Sequence, residues 1–309
     1  MLKYDLSKFK KEFTEYTELR VQENRSTNIS LVNGNVMGNS TSAKSGVSAR
    51  VNKNGNWGFA SNPVISDEAI EKVILAATEN AAFLGTKQSK GKKDFASRPF
   101  TSENSFYTVK QKTDQKAKIG FLKKVDDYIA EKYSDLTSRT LIISGLEMEK
   151  NTITSDGSES YSMVPKYHIY AILNKSVEGE NFEIFKAFGD RGQFEDVFTE
   201  PALLFPGIDE SYKHLINKTN GVFASAGMKD VVMDAKLAGI LAHEAIGHTT
   251  EADLVQGGSV AGELLNKEIA SPLVSLVDFA HTYEGKICPV PVYIDDEGVK
   301  AEDQVIIDK

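Results

Sequence analysis

The run Leu241-Ala242-His243-Glu244-Ala245-Ile246-Gly247-His248 places two of the chain's five histidines around a glutamate, inside apolar, helix-prone sequence. Two neutral imidazoles beside one carboxylate are the donors of a hydrolytic zinc site. The spacing is H-E-x-x-x-H, one residue longer than the usual zinc-protease helix. In a regular α-helix residues i and i+5 point about 140° apart, so the two rings would not share a face. A local widening into a π-type turn, with i to i+5 bonding, brings them into line. Gly247 removes side-chain bulk where such a distortion needs room. The competing reading is a pair of ordinary helix histidines, one buried and hydrogen-bonded and the other at the solvent edge. The scarcity of histidine argues against it, since chance would set this pattern in fewer than roughly one chain in a hundred.

The histidine helix is followed by the acidic stretch Thr249-Thr250-Glu251-Ala252-Asp253. Three other segments accompany it: Gly46-Val47-Ser48-Ala49-Arg50-Val51 leading into Asn56-Trp57-Gly58-Phe59-Ala60-Ser61, then Gly257-Gly258-Ser259, then Asp295-Asp296-Glu297-Gly298. In order and separation these resemble the TldD/PmbA peptidases, whose metal-site helix reads H-E-A-x-G-H. The resemblance implies a zinc-dependent peptidase in which His243 and His248 hold Zn2+ and Glu244 is the catalytic carboxylate. Zinc would acidify water and polarise the scissile carbonyl, while Glu244 takes the proton and hands it to the leaving amine. It further implies extended or unfolded peptides as substrates, and a homodimer, or a heterodimer with a family relative, that encloses the active sites.

Family members are longer by roughly a small domain, and their third protein ligand is a cysteine in that extra C-terminal region. The chain is therefore expected to be truncated relative to them, to hold zinc incompletely and to have little activity by itself. Cys288 and His281 are the alternatives for the third ligand, although neither sits in the family's context. Cys288 also reads as a small buried hydrophobe beside Pro289, and His281 as a surface or satisfied histidine. Glu251 and Asp253 are candidates to orient the imidazoles, or form a polar helix end. A catalytically silent partner or binding subunit is the alternative function, and retention of His243, Glu244 and His248 argues against it.

Composition sets limits on these readings. The 309 residues are 40% hydrophobic, enough for two domains with cores. Thirty-six basic against 44 acidic residues give a formal charge of −8, which disfavours nucleic acid and anionic membrane as partners. One cysteine forms no internal disulfide, the start carries no secretory signal, and no run reaches the 18 or so apolar residues of a membrane helix. A cytoplasmic address follows.

The elements that must position the site read as an α+β fold. Residues 1–205 are expected to form an N-terminal domain of antiparallel sheet and helices. Residues 206–309 would be an incomplete C-terminal metallopeptidase domain, mainly β, carrying the metal-site helix. Asn33-Gly34 and Asn54-Gly55 separate β-prone runs and predict hairpins. Ser66 caps a helix with apolar face Ile70, Val73, Ile74, Ala77, Ala81 and Leu84, ended by Gly85. Lys87, Lys90, Lys92 and Lys93 form a basic stretch that reads as a solvated loop. A second helix carries Ile119, Leu122, Val125, Ile129 and Tyr133. Short strands are expected at 140–144 and 151–155, and a hairpin pairs 167–173 with 182–185. Such a sheet offers an edge to an extended peptide. A short helix is expected at 212–217, and the metal-site helix begins near Ala235.

Overall fold

The computed structural model describes Leu2, Tyr4–Lys87 and Arg98–Lys309, so Lys90, Lys92 and Lys93 of the expected basic loop lie outside the described residues. Two Asn-Gly turns organise the first strands. β1 (Tyr16–Val32) turns at Asn33-Gly34 into β2 (Asn35–Lys53), which turns at Asn54-Gly55 into β3 (Asn56–Asn62). Both turn residues have positive φ in each case, +48° and +78°, then +50° and +79°. That is the type I′ geometry matching the twist of paired strands. The polar segment 35–45 was not expected to be a strand. It pairs along Glu23–Val32 of β1 through the backbone ladder, which apolar alternation does not report.

The remaining strands are β4 (Thr101–Ser105), β5 (Ser138–Thr154), β6 (Glu159–Val177) and β7 (Glu180–Arg191). The two short strands expected at 140–144 and 151–155 are one continuous β5, paired with β1 on one side and β6 on the other. The sheet runs β3-β2-β1-β5-β6, and the outer edge of β6 is shared by β4, parallel, and β7, antiparallel.

Helices cover one face. α1 (Asp67–Lys87) starts where Ser66 Oγ accepts from the Ala69 amide at 3.1 Å, and buries Ile70, Val73, Ile74, Ala77 and Ala81. Leu84 stays exposed, and the helix runs through Gly85 to Lys87 rather than ending there. α2 (Gln115–Lys132) is capped by Asp114, which accepts from the Ala117 amide at 2.7 Å. A single turn, α3 (Phe194–Val197), precedes α4 (Phe205–Thr219), longer than the short helix expected at 212–217.

Two hydrophobic clusters result. Leu19, Val21, Val47 and Val51 pack with α1, while Ile29, Leu31, Leu141, Ile143 and Ile169 pack with α2 and α4. Between them the same face is polar. Arg25 bonds Glu149 at 2.9 Å and Glu147 at 3.3 Å and pairs with Glu23, Gln193 donates to Glu147 at 2.9 Å, and Tyr161 donates to Glu149 at 2.7 Å.

On the opposite face lies a strap, Val292–Lys300, which belongs to the same compact unit as Met1–Gly221. Its Asp296 meets Arg20 at 2.9 Å and Lys150 at 2.7 Å, and its Glu297 meets Arg50 at 2.8 Å. Arg50 also grips Glu18 at 2.6 Å and lies 4.4 Å over the Trp57 ring. The motifs around Arg50, Trp57 and Glu297, far apart in sequence, therefore meet in one place. Ser158 Oγ donates to the Gly298 carbonyl at 2.6 Å.

The second unit comprises Val222–Pro291 and Ala301–Lys309. The division falls after Gly221, past the 205/206 boundary read from sequence, because α4 buries Ile208 and Leu215 in the first unit's core. The second unit holds α5 (Ala235–Ala242), α6 (His248–Thr250), α7 (Ala252–Gln256) and two short two-stranded sheets. These pair β8 (Leu276–Asp278) with β11 (Gln304–Ile307), and β9 (Thr282–Tyr283) with β10 (Lys286–Ile287). Among its described residues no large apolar side chain is buried.

Candidate metal centre

Asp234 opens the site helix by accepting from the Leu237 amide at 2.8 Å, and α5 then carries a regular apolar run to Ala242. From His243 to Gly247 the backbone is π-helical, and the His248 amide donates to the His243 carbonyl, an i to i+5 bond. The π turn required by the H-E-x-x-x-H spacing is therefore present. Its consequence is steric proximity of the rings, whose centroids lie 4.5 Å apart with planes at 64°. One ligand atom each from His243, Glu244 and His248 lies within 4.8 Å of the others. His248 Nε2 is 3.9 Å from Glu244 Oε2.

The role expected of Gly247 needs revision. A Cβ there would stand 3.7 Å from the Ala242 carbonyl and 3.8 Å from His243 Nδ1, both ordinary contacts. The π turn follows from the backbone bonding and does not require the glycine.

The donor set suits zinc. Imidazole nitrogens are among its usual ligands, and His243 and His248 supply two of them, with the Glu244 carboxylate beside them. All three are exposed. Among the described residues neither Cys288 nor His281 joins the group. Instead the Cys288 amide donates to the His281 carbonyl at 2.9 Å, beside the β9–β10 hairpin. Of the two acidic candidates, Glu251 meets the site, its Oε1 lying 2.6 Å from His248 Nδ1. Asp253 does not: its side chain accepts from the Leu254 amide at 2.9 Å, within its own helical turn. Ser259, which sequence reasoning left without a role, donates to the Thr249 carbonyl at 2.7 Å, just beyond His248.

Comparisons with known proteins bear on the family. The pattern for PmbA/TldA metallopeptidase domain 1 matches residues 17–81, and that for the PmbA/TldA metallopeptidase C-terminal domain matches residues 226–309. A curated metalloprotease of Methanocaldococcus jannaschii is 28% identical over 312 aligned residues, covering 96% of this chain and 64% of that protein. The zinc metalloprotease TldD homolog of Saccharolobus solfataricus is 28% identical over 271, covering 85% and 56%. The chain thus spans less than two thirds of the length of these relatives. Among solved structures, a Thermotoga maritima protein solved as a candidate modulator of a DNA gyrase aligns with TM-score 0.69 at 18% identity, covering 98% of this chain and 66% of that one. TldE from Thermococcus kodakarensis aligns with TM-score 0.65 at 17% identity, covering 97% and 66%. These two likenesses are of fold alone. With both family patterns in place, one over the first strands and one over the His243–His248 helix, the chain belongs to the PmbA/TldD metallopeptidase family.

Proposed function

We propose that this chain carries the metal centre of a zinc-dependent peptidase that hydrolyses extended or unfolded peptides. The observation that supports it most is the π turn, which gathers His243, Glu244 and His248 within 4.8 Å at a spacing a regular helix would splay apart. The metalloprotease names of the curated relatives point the same way. His243 and His248 hold the ion. When bound, zinc polarises a peptide carbonyl and acidifies water beside it. Glu244 accepts the proton of the attacking water and passes it to the departing amine, work that needs a carboxylate within hydrogen-bond reach of both.

Two features support an extended substrate and a dimer. Among the described residues the outer edge of β2 from Asn35 to Gly46 has no strand beside it, and an extended peptide satisfies such backbone groups whatever its side chains. The second unit leaves Val232, Leu265 and Leu273 exposed, apolar surface that a second copy or a family relative would cover. Among the described residues no helix is long and apolar enough to cross a membrane. A cytoplasmic address remains part of the proposal, with the single free cysteine as its support.

Elemental analysis of the purified protein and of its His243→Ala/His248→Ala variant tests the metal assignment. The wild type is expected to retain zinc that the variant lacks, and equal, near-zero zinc in both would favour the silent partner subunit instead. In a full-length counterpart, Glu244→Gln should keep the metal and lower peptide cleavage at least about a hundredfold, the lower range for losing a general base. Loss of zinc in Glu244→Gln would make Glu244 a ligand.

A further inference from the structure

We propose that Glu251 is a positioning residue for the metal centre, holding His248 in the tautomer that leaves Nε2 free, and that Ser259 braces the corner from which it acts. The zinc-affinity part rests on the peptidase reading above, whereas the tautomer part does not.

A carboxylate only accepts, so Glu251 Oε1 at 2.6 Å from His248 Nδ1 requires the ring proton on Nδ1. The lone pair is then on Nε2, the nitrogen 3.9 Å from Glu244 Oε2 on the side of the ligand group. Without such an acceptor a neutral imidazole favours the proton on Nε2, which would block the ligand atom. Carboxylates behind zinc-binding histidines serve this purpose generally.

The corner that delivers Glu251 is built by a break in the helix. Glu251 has φ −58° and ψ 133°, outside the helical region, and α7 restarts at Ala252. The break frees the Thr249 carbonyl from its i+4 partner, and Ser259 Oγ takes that place at 2.7 Å. The Ser259 amide in turn donates to the Leu254 carbonyl at 3.0 Å, after a reversal at Gly258, whose φ is +100°. This accounts for the Gly257-Gly258-Ser259 segment near the centre. Since the Glu251 side chain is half exposed, its bond to His248 competes with water and depends on this fixed corner.

The test uses the whole chain, metal-free, at about pH 8.5, where imidazoles are neutral. Long-range 1H–15N spectra should show His248 protonated at Nδ1 in the wild type and in Glu251→Gln, whose amide oxygen still accepts. In Glu251→Ala the proton should move to Nε2. The same tautomer in all three would overturn the proposal. Zinc affinity, measured against a chelator, should fall about 10–100-fold in Glu251→Ala, less in Glu251→Gln, and several-fold in Ser259→Ala. A wild type that binds no zinc yet shows the tautomer switch would sink the peptidase reading while leaving the positioning role intact. Loss of zinc in Glu251→Ala with His248 unchanged would instead make Glu251 a direct ligand and overturn the proposal.

Discussion

Glu147 and Glu149 show what single side chains do inside the first unit. Burial pushes both carboxyls up. For Glu147 the hydrogen bond from Gln193, the charge of Lys112 and the bonds from Arg25 outweigh it; for Glu149 those from Tyr161, the Leu2 amide and Arg25 do. Both therefore titrate below the ordinary glutamate value of 4.5. A carboxyl with a depressed folded value stabilises the fold fully above its unfolded value, and that stability is lost as pH falls through the folded value. The urea midpoint should hold between about pH 7 and pH 5 and drop below about pH 4.5, more gently in Glu147→Gln; superimposable profiles would show that the carboxylate carries none of it. Arg25→Met removes the cation that bridges the two buried acids and should cost about 3 kcal/mol in the same measurement, the lower end for breaking a buried pair because Lys112, Gln193 and Tyr161 remain. Sequence could not announce this network, because two glutamates in a strand read as a solvated stretch until Arg25 arrives from another strand. The His243, Glu244 and His248 cluster was legible for the opposite reason: its geometry is local, fixed within one turn of backbone.

At the scale of elements, the seat of α1 on β3 is set by one residue. A Cβ on Gly58 would lie 2.0 Å from the Ala77 carbonyl and 2.3 Å from the Ala81 amide, so the helix backbone rests directly on the strand. Gly58→Ala must push α1 off the sheet and is expected to cost about 3 kcal/mol or more by chemical denaturation. Gly85→Ala should act in reverse. Its Cβ would meet only Asn56 Nδ2, at 3.5 Å, inside a continuous helix, so a gain of about 0.5–1 kcal/mol is expected. A loss would show that the last turn of α1 is not helical in solution. The same two glycines mark what sequence could and could not say. Asn-Gly turns and the capped, periodic α1 are local and were read correctly. Gly85 as a terminator was not, because a glycine stops a helix only where it adopts positive φ, and here nothing draws it there. The continuity of β5 was hidden because Glu147 and Glu149 interrupt its apolar alternation, and residues 35–45 because they pair through the backbone ladder, which apolar alternation does not report.

For the whole molecule the question is what holds Val292–Lys300 to the sheet. Its ion pairs with Arg20, Lys150 and Arg50 are partly exposed and are worth about 0–1 kcal/mol each. With the Ser158 bond adding about 1 kcal/mol and burial of Ile294 about 1.5–3 kcal/mol, the strap binds at best in about the ten-micromolar range as a separate piece. Covalent attachment must supply the rest, through an effective concentration that is itself about millimolar. Cutting the exposed chain at Lys267 with trypsin is therefore expected to release the 268–309 fragment at micromolar concentration on gel filtration. Co-elution, abolished by Arg50→Ala, would show the strap to be far stronger than these magnitudes allow. The return of this segment was invisible to a linear reading, since the chain leaves the first unit after Gly221 and re-enters it only at Val292.

That re-entry has a consequence for synthesis. The first unit is discontinuous, so a ribosome can deliver its whole sheet, helices and both clusters and still leave it unfinished. From residue 222 to residue 300, translation at about 5–20 residues per second takes roughly 4–16 s. During that interval Arg20 and Lys150 stand on the nascent sheet without the acidic turn that later meets them, and Arg50 has only Glu18. The newborn chain thus presents a basic face that the finished protein does not, open for those seconds to any acidic surface beside the ribosome.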